Sequence, residues 1–427
     1  MSKHALLIAI LAGSFMQAQF SVTVEAPASF NAKEAVLYTL NGSKDIIVSR
    51  ELKKNTGWSF KVPQRYVGMM KIYFPETNAS FSMISENKDI SLKLESDGNK
   101  VNVIYKDPVN MLMEKVQDQQ KKKDLIYPAL VQIKDYYRPG SDFGKALDKE
   151  IQEIGRSYTV DASSNPFVSF YNTNYNKFLV EKSPENTPAQ TEIADFISNS
   201  GEMLESSSLL RPLLVNFLNS AGSANVDASV DALLKRLNVE TPRGQTVMSE
   251  LIDIFDVYGM TALKDKYLTQ AKNLKCTIND RLASTIKANN NVEMGAIFPD
   301  YKFARVSNTA SKNLHSVKAD KKVIVFWSST CSHCEAELPK LLEKYNAMKA
   351  QNIEVVGFSL DTDRSVYDSK VTALPWINDS ELRGWNSTYT ETYNIHATPT
   401  YFIVDAQNRI IAKPDHVSDV LQFLKLK

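Results

Sequence analysis

The alternation of apolar and polar positions changes character twice along this chain. From about residue 20 to residue 107, apolar residues come in short β-branched and aromatic runs, at 35–39, 46–50, 58–62, 70–74 and 81–84. Asn41-Gly42, Thr56-Gly57 and Pro75 separate these runs. Ile90, Leu92 and Leu94 alternate with polar neighbours, and Asp97-Gly98 is placed to turn the chain into Val101 and Val103, a hairpin pattern. The pattern predicts a small antiparallel β-sandwich over 19–107, with its aromatic residues forming a plain core.

Asp107-Pro108 marks the first change, because Asp caps helices well and Pro suits the first helical position. From 108 to 290 the period is helical. Val226, Val230, Leu233, Leu234 and Leu237 form one stripe; Thr241-Pro242 opens the next helix, which carries Val247, Leu251, Ile252, Phe255 and Tyr258. Residues 209–218 are strongly apolar around Arg211-Pro212 and read as a buried helix, while 137–140 and 184–188 are breaks. Asn289 to Asn291 and Gly295 read as a linker.

The second change comes at 295. Residues 323–327 and 353–360 are continuous apolar runs, the pattern of strands buried on both faces, and 401–404 is a third. Asp405 to Asn408 turns into 409–412, and 416–426 is a closing amphipathic helix. Leu338, Leu341, Leu342 and Tyr345 follow the first strand at helical spacing. Strands alternating with helices predict an α/β layer for 295–427.

Composition alters this picture at a few points. Lys and Arg total 50 against 49 Asp and Glu, so the net charge of +1 gives no basic field for nucleic acid. Three cysteines are too few for a disulfide scaffold. Lys3 and His4 ahead of the apolar residues 5–13, with Met16-Gln17-Ala18 as a loose cleavage site, predict a signal peptide over 1–18. The apolar core is too short to span a bilayer, and no later run is long enough for a transmembrane helix. The expectation is a soluble periplasmic or otherwise extracytoplasmic protein, in a compartment where disulfides persist.

The candidate chemistry is concentrated in Cys331-Ser-His-Cys334, where the 323–327 strand gives way to a helix. That position puts Cys331 at a helix N-terminus, where unpaired N–H groups and the positive dipole end favour a thiolate. Cys334 sits one turn on, close enough for a disulfide. This is the minimum apparatus for thiol–disulfide exchange.

Residues 295–427 resemble the thioredoxin fold, and within it the TlpA/ResA-like extracytoplasmic thiol–disulfide oxidoreductases. The likeness rests on Phe326-Trp327 ahead of the cysteines, on Cys331 and Cys334, on the Cys-x-x-Cys-x-x-Glu-x-Pro pattern completed by Glu337 and Pro339, and on Ala397-Thr-Pro-Thr400 before a strand. It implies that Cys331 attacks and Cys334 resolves the mixed disulfide. His333, in the slot where strong oxidants and isomerases of the family carry His, would stabilise the Cys331 thiolate. Glu337, one helical turn beyond Cys334, would be a buried carboxyl that moves the proton to or from Cys334. Thioredoxin keeps a buried Asp before its Phe-Trp pair; Val325 stands there here, which leaves Glu337 as the candidate. Thr398 and Pro399 would form a cis-proline loop that offers backbone groups to an extended substrate, and Trp327 would pack by the active-site turn. The implied partners are protein thiols and disulfides together with a redox partner, with no cofactor.

Competing chemistries fail on residues. Covalent haem attachment needs His where Glu335 stands. Zinc needs about four ligands, and only Cys331, His333 and Cys334 cluster. A peroxidase of the peroxiredoxin type would want Pro where Ile324 stands, although Ser328 suits its pattern. A partner-binding protein with a vestigial redox domain is opposed by the intact cysteine pair and Thr398-Pro399. Cys276 stands off the stripe of Leu274, Ile278 and Leu282 and reads as a turn or buried thiol.

Overall fold

The computed structural model describes residues 20–426 except 98, 99, 157, 181–186 and 223. The signal-peptide segment 1–18, Gly98 of the expected hairpin turn and residues 184–186 of the second break lie outside the described residues.

The first eight strands are β1 (Phe20–Glu25), β2 (Glu34–Asn41), β3 (Lys44–Leu52), β4 (Gly57–Val62), β5 (Val67–Phe74), β6 (Ala79–Glu86), β7 (Ile90–Asp97) and β8 (Lys100–Tyr105). They form two four-stranded sheets, ordered β4-β1-β7-β8 and β3-β2-β5-β6. Alternation buries one face of each: Val22, Val24, Phe60, Leu92 and Leu94 meet Leu37, Met70, Ile72 and Phe74. The pairing departs from the expected antiparallel pattern once, because β1 runs parallel to β7 with Val22 opposite Ile90.

Ten α-helices follow among the described residues: α1 (Pro108–Lys121), α2 (Tyr127–Lys134), α3 (Asp142–Gly155), α4 (Pro166–Phe178), α5 (Gln190–Asn199), α6 (Leu210–Ala221), α7 (Val226–Leu237), α8 (Pro242–Val257), α9 (Thr261–Lys272) and α10 (Asp280–Asn291). Asp107 caps α1 by accepting from the Asn110 N–H at 2.9 Å, and Thr241 Oγ1 caps α8 by accepting from Gly244 N at 3.1 Å. The α7 stripe is buried throughout. Pro212 falls in the first turn of α6, where no intrahelical N–H is required, so the helix runs on. Two expectations need correction here. Asn289 to Asn291 close α10 instead of forming a linker. Leu274 and Ile278 lie in the loop before α10, so no helical stripe runs from 274 to 282. Arg281, wholly buried, pairs with Glu250 at 2.9 Å and with Asp253 at 2.6 Å. Glu250 also accepts from Ser43 N at 2.7 Å, tying the β2–β3 turn to α8.

The last part contains β9 (Lys321–Trp327), α11 (Ser332–Ala350), β10 (Ile353–Ser359), α12 (Arg364–Val371), β11 (Ile377–Ser380), α13 (Thr388–Thr392), β12 (Thr400–Asp405), β13 (Ile410–Ala412) and α14 (Val417–Phe423). Its sheet order is β11-β10-β9-β12-β13. β9, β10 and β11 are parallel, while β12 and β13 run antiparallel to their neighbours. Central β9 is buried on both faces: Val323, Val325 and Trp327 pack with α11, and Ile324 and Phe326 with Phe298, Phe358 and Tyr393. The chain enters along β13, where Gly295 N donates to Ile410 O at 2.9 Å and Phe298 N to Asn408 O at 2.8 Å. This is a thioredoxin-like fold, preceded by a mainly antiparallel sheet region and a helical middle. No helix among the described residues is long and apolar enough to cross a membrane.

Candidate active site

β9 delivers the chain to the site and α11 starts it. Cys331 is the N-cap of α11, with extended backbone, and its sulfur accepts from Cys334 N at 3.4 Å. The Cys331 thiol donates to Thr398 O at 3.1 Å across the Thr398-Pro399 bond, which is cis. Burial pushes the Cys331 thiol up, but the side chains of Thr398 and Cys334 and the backbone N–H groups of Cys334 and His333 outweigh it. The net result holds the thiol below its ordinary range. Cys334 is opposite in character: only 1% exposed, it is pushed up to about 12 by burial and then by its neighbour Cys331. Both are free thiols here. One sulfur is accessible and anion-favouring, and the other is buried and proton-holding.

The other expected residues divide. Thr398 is at the sulfur. His333 reaches it through its backbone N–H, and its side chain is exposed. Trp327 is 1% exposed and stacks on Tyr367 with ring centroids 6.4 Å apart, which is core packing beneath the turn. Glu337, with its side chain 14% exposed, makes no hydrogen bond to Cys334 among the described residues. Its carboxylate accepts from Tyr401 OH at 2.9 Å and from Val417 N at 3.1 Å, and the His416 ring lies 3.1 Å away. Tyr401 belongs to the same buried core as Cys334. Burial, then the Glu337 charge, then Cys334 and Cys331 all push its phenol up. Cys276 is half-buried in a turn, with Gln245 Nε2 3.5 Å from its sulfur.

Sequence reasoning missed Asp361. Its buried carboxylate accepts from Ser329 N at 2.9 Å, Ser329 Oγ at 2.6 Å, Ser328 Oγ at 3.1 Å and Ser359 Oγ at 2.7 Å. It therefore fixes the loop that aims Cys331. The available signal was its place just past the C-terminal end of a buried parallel strand, where α/β sheets keep their sites. Tyr401 was missed because it reads as one more apolar strand residue.

The other two regions also reach the site. Asn394 Nδ2 donates to Asp256 Oδ2 of α8 at 2.6 Å, and His396 Nε2 lies 3.6 Å from the same oxygen, just ahead of the cis-proline loop. Asn386 Nδ2 donates to Asn78 Oδ1 of the sandwich at 3.4 Å. A cleft of about 510 Å³ has Cys331, Thr398, Asn386 and Asn78 in its lining.

This fold and site define a thioredoxin-like domain, and a family model described as "Thioredoxin-like" matches residues 320–410. Among curated proteins, the thiol-disulfide oxidoreductase ResA of Oceanobacillus iheyensis is 23% identical over 137 residues, covering 30% of this chain and 69% of that one. The ResA of Bacillus cereus is 23% identical over 105 residues, covering 23% of this chain and 57% of that one. Among solved structures, the thioredoxin domain of a thiol-disulfide oxidoreductase from Bacteroides vulgatus matches at 24% identity and a TM-score of 0.29, over 31% of this chain and 96% of that one. Over its C-terminal third the chain is thus thioredoxin-like and similar to proteins named thiol–disulfide oxidoreductases.

Proposed function

We propose that the chain is an extracytoplasmic thiol–disulfide oxidoreductase that exchanges disulfides with protein substrates through Cys331 and Cys334. The asymmetry of the two thiols carries this reading: a lowered, accessible Cys331 beside the cis-proline loop and a buried Cys334 held up at about 12. In the reduced protein the Cys331 thiolate attacks one sulfur of a substrate disulfide. That S–S bond breaks, a Cys331–substrate disulfide forms, and the other substrate sulfur leaves as a thiolate and takes up a proton. Cys334 then loses its proton, attacks Cys331 Sγ, closes the Cys331–Cys334 disulfide and releases the second substrate thiol. Two electrons pass to the substrate; the reverse sequence oxidises a substrate dithiol.

Glu337 serves as proton acceptor for Cys334, reached through the Tyr401 hydroxyl. Thr398 and Pro399 present backbone to the substrate, and Trp327 and His333 shape the turn. The apolar segment 5–13 supports export, and a disulfide-permissive compartment suits the chemistry. Turnover of 2-hydroxyethyl disulfide with dithiothreitol as reductant tests the activity, and inactivity of the wild-type protein would sink it. The reduction potential sets the direction: about −270 mV marks a reductant and about −120 mV an oxidant.

A further inference from the structure

The wall of the cleft facing Cys331 is built from residues 383–386 and the sandwich, and three features of that wall point the same way. Arg383 is half-buried, and no carboxylate among the described residues lies within ion-pair distance of it. The acidic side chains around it are already engaged. Asp361 is held by three serines, Asp363 caps α12 through Val366 N at 3.0 Å, and Glu381 accepts from Tyr301 OH and Thr388 N, each at 2.9 Å. A guanidinium without a carboxylate partner, in the lining of the cleft that also holds Cys331, is a binding element for an anion.

Trp385 is the second feature. The other three tryptophans, Trp58, Trp327 and Trp376, are at most 2% exposed, whereas Trp385 is 56% exposed on the rim. The third feature is the fixed shape of this segment. Gly384 has a φ of +54°, and a Cβ there would come within 2.8 Å of Thr362 Cγ2. Asn386 Nδ2 donates to Asn78 Oδ1 at 3.4 Å, which ties the segment to the sandwich. The arginine and tryptophan are thus presented on a pre-shaped turn, which lowers the ordering cost of binding.

We propose that this cleft selects an extended polypeptide segment carrying an acidic side chain and an aromatic or aliphatic one beside its cysteine. Arg383 takes the acid and Trp385 the apolar group, with Asn78 of the sandwich extending the same wall. The proposal rests on the redox reading, because it is the reacting sulfur that brings the segment to Cys331. The cleft, about 510 Å³, lies within the ~300–1,000 Å³ range of sites that bury a whole organic ligand, and is larger than a small disulfide needs.

The test uses two short peptides with a neutral rhodamine label. Each has Ser in place of its cysteine and a Phe nearby; one has Asp and the other Lys beside the Ser. Binding to the full chain is read by fluorescence anisotropy. The Asp peptide should bind more tightly than the Lys peptide by roughly fivefold. Arg383→Glu should reverse that order, which a merely unfolded or loosened protein cannot do. Trp385→Ala should weaken both peptides by roughly tenfold, with Trp385→Phe restoring most of the loss. An order unchanged by Arg383→Glu, or wild-type binding by Trp385→Ala, would overturn the proposal. Since the assay involves no sulfur chemistry, failure of the redox reading shows itself separately, as a wild-type protein unable to turn over 2-hydroxyethyl disulfide.

Discussion

The hydroxyl of Tyr401 donates to Glu337 Oε2 at 2.9 Å, so the acid of the Cys-x-x-Cys-x-x-Glu pattern meets a phenol on β12. Val417 N, at the first position of α14, donates to the same oxygen at 3.1 Å. Glu337 thereby joins α11, the sheet and the closing helix.

Glu337→Gln should therefore act in two ways. It removes a charged acceptor from two donors, which costs about 1–3 kcal/mol of stability by urea unfolding. It should also slow exchange at neutral pH. Tyr401→Phe should slow it likewise. Equal exchange rates for Glu337→Gln and wild type would reduce Glu337 to a structural clamp.

Asp361→Ala should leave the Ser329 N–H and three hydroxyls without their acceptor, costing about 1–3 kcal/mol. The exchange rate should fall with stability, because the 328–330 loop that aims Cys331 is no longer fixed. Asp361→Asn keeps an acceptor for Ser329 and should recover most of the rate. Equal rates for Asp361→Ala and wild type would show that the loop holds its shape unaided.

The pH dependence of alkylation separates the two thiols. Cys331 lies below the ordinary thiol range, so it remains a thiolate as pH falls until its own lowered pKa is passed. Below that point it takes up a proton and its reactivity falls. Mass spectrometry after iodoacetamide treatment should find Cys331 modified with a midpoint below the free-cysteine value of about 8.5. Cys334, at about 12 and buried, should stay unmodified across neutral pH. Cys334 reacting first would reverse the roles.

Residues 292–427 should fold alone, since Val292 packs with Phe298, Ile324 and Phe402, and 295–298 pair along β13. A chain starting at 299 loses both and should be destabilised or unfolded. Circular dichroism and thermal melts check this. An unfolded 292–427 fragment would make the α8 contacts to Asn394 and His396 part of the core.

What could be read from the sequence was local. The period-two runs of the sandwich, the α7 stripe, the caps at Asp107 and Thr241 and the cysteine pair each reside in a few consecutive residues. What could not be read depends on pairing between distant segments. The parallel β1–β7 contact has the same alternation as an antiparallel one. Asp361 meets Ser328 and Ser329 because β10 lies beside β9, with Ser359 opposite Trp327. The asparagine run at 289–291 resembles a linker by propensity, yet Asn289 is buried and donates to Thr285 O at 3.0 Å, so packing keeps it helical. Arg383 and Trp385 belong to a single 3₁₀ turn, Gly384–Asn386 and its cap, too short to leave a periodic pattern in the sequence.

The central claim is that Cys331 attacks and Cys334 resolves. The most direct measurement is trapping of mixed disulfides with a disulfide-bonded protein substrate, resolved on non-reducing gels. Cys334→Ser should accumulate a covalent adduct through Cys331, cleaved by dithiothreitol. Cys331→Ser should accumulate none and should show no exchange. An adduct formed by Cys331→Ser, or wild-type exchange without Cys331, would contradict the account.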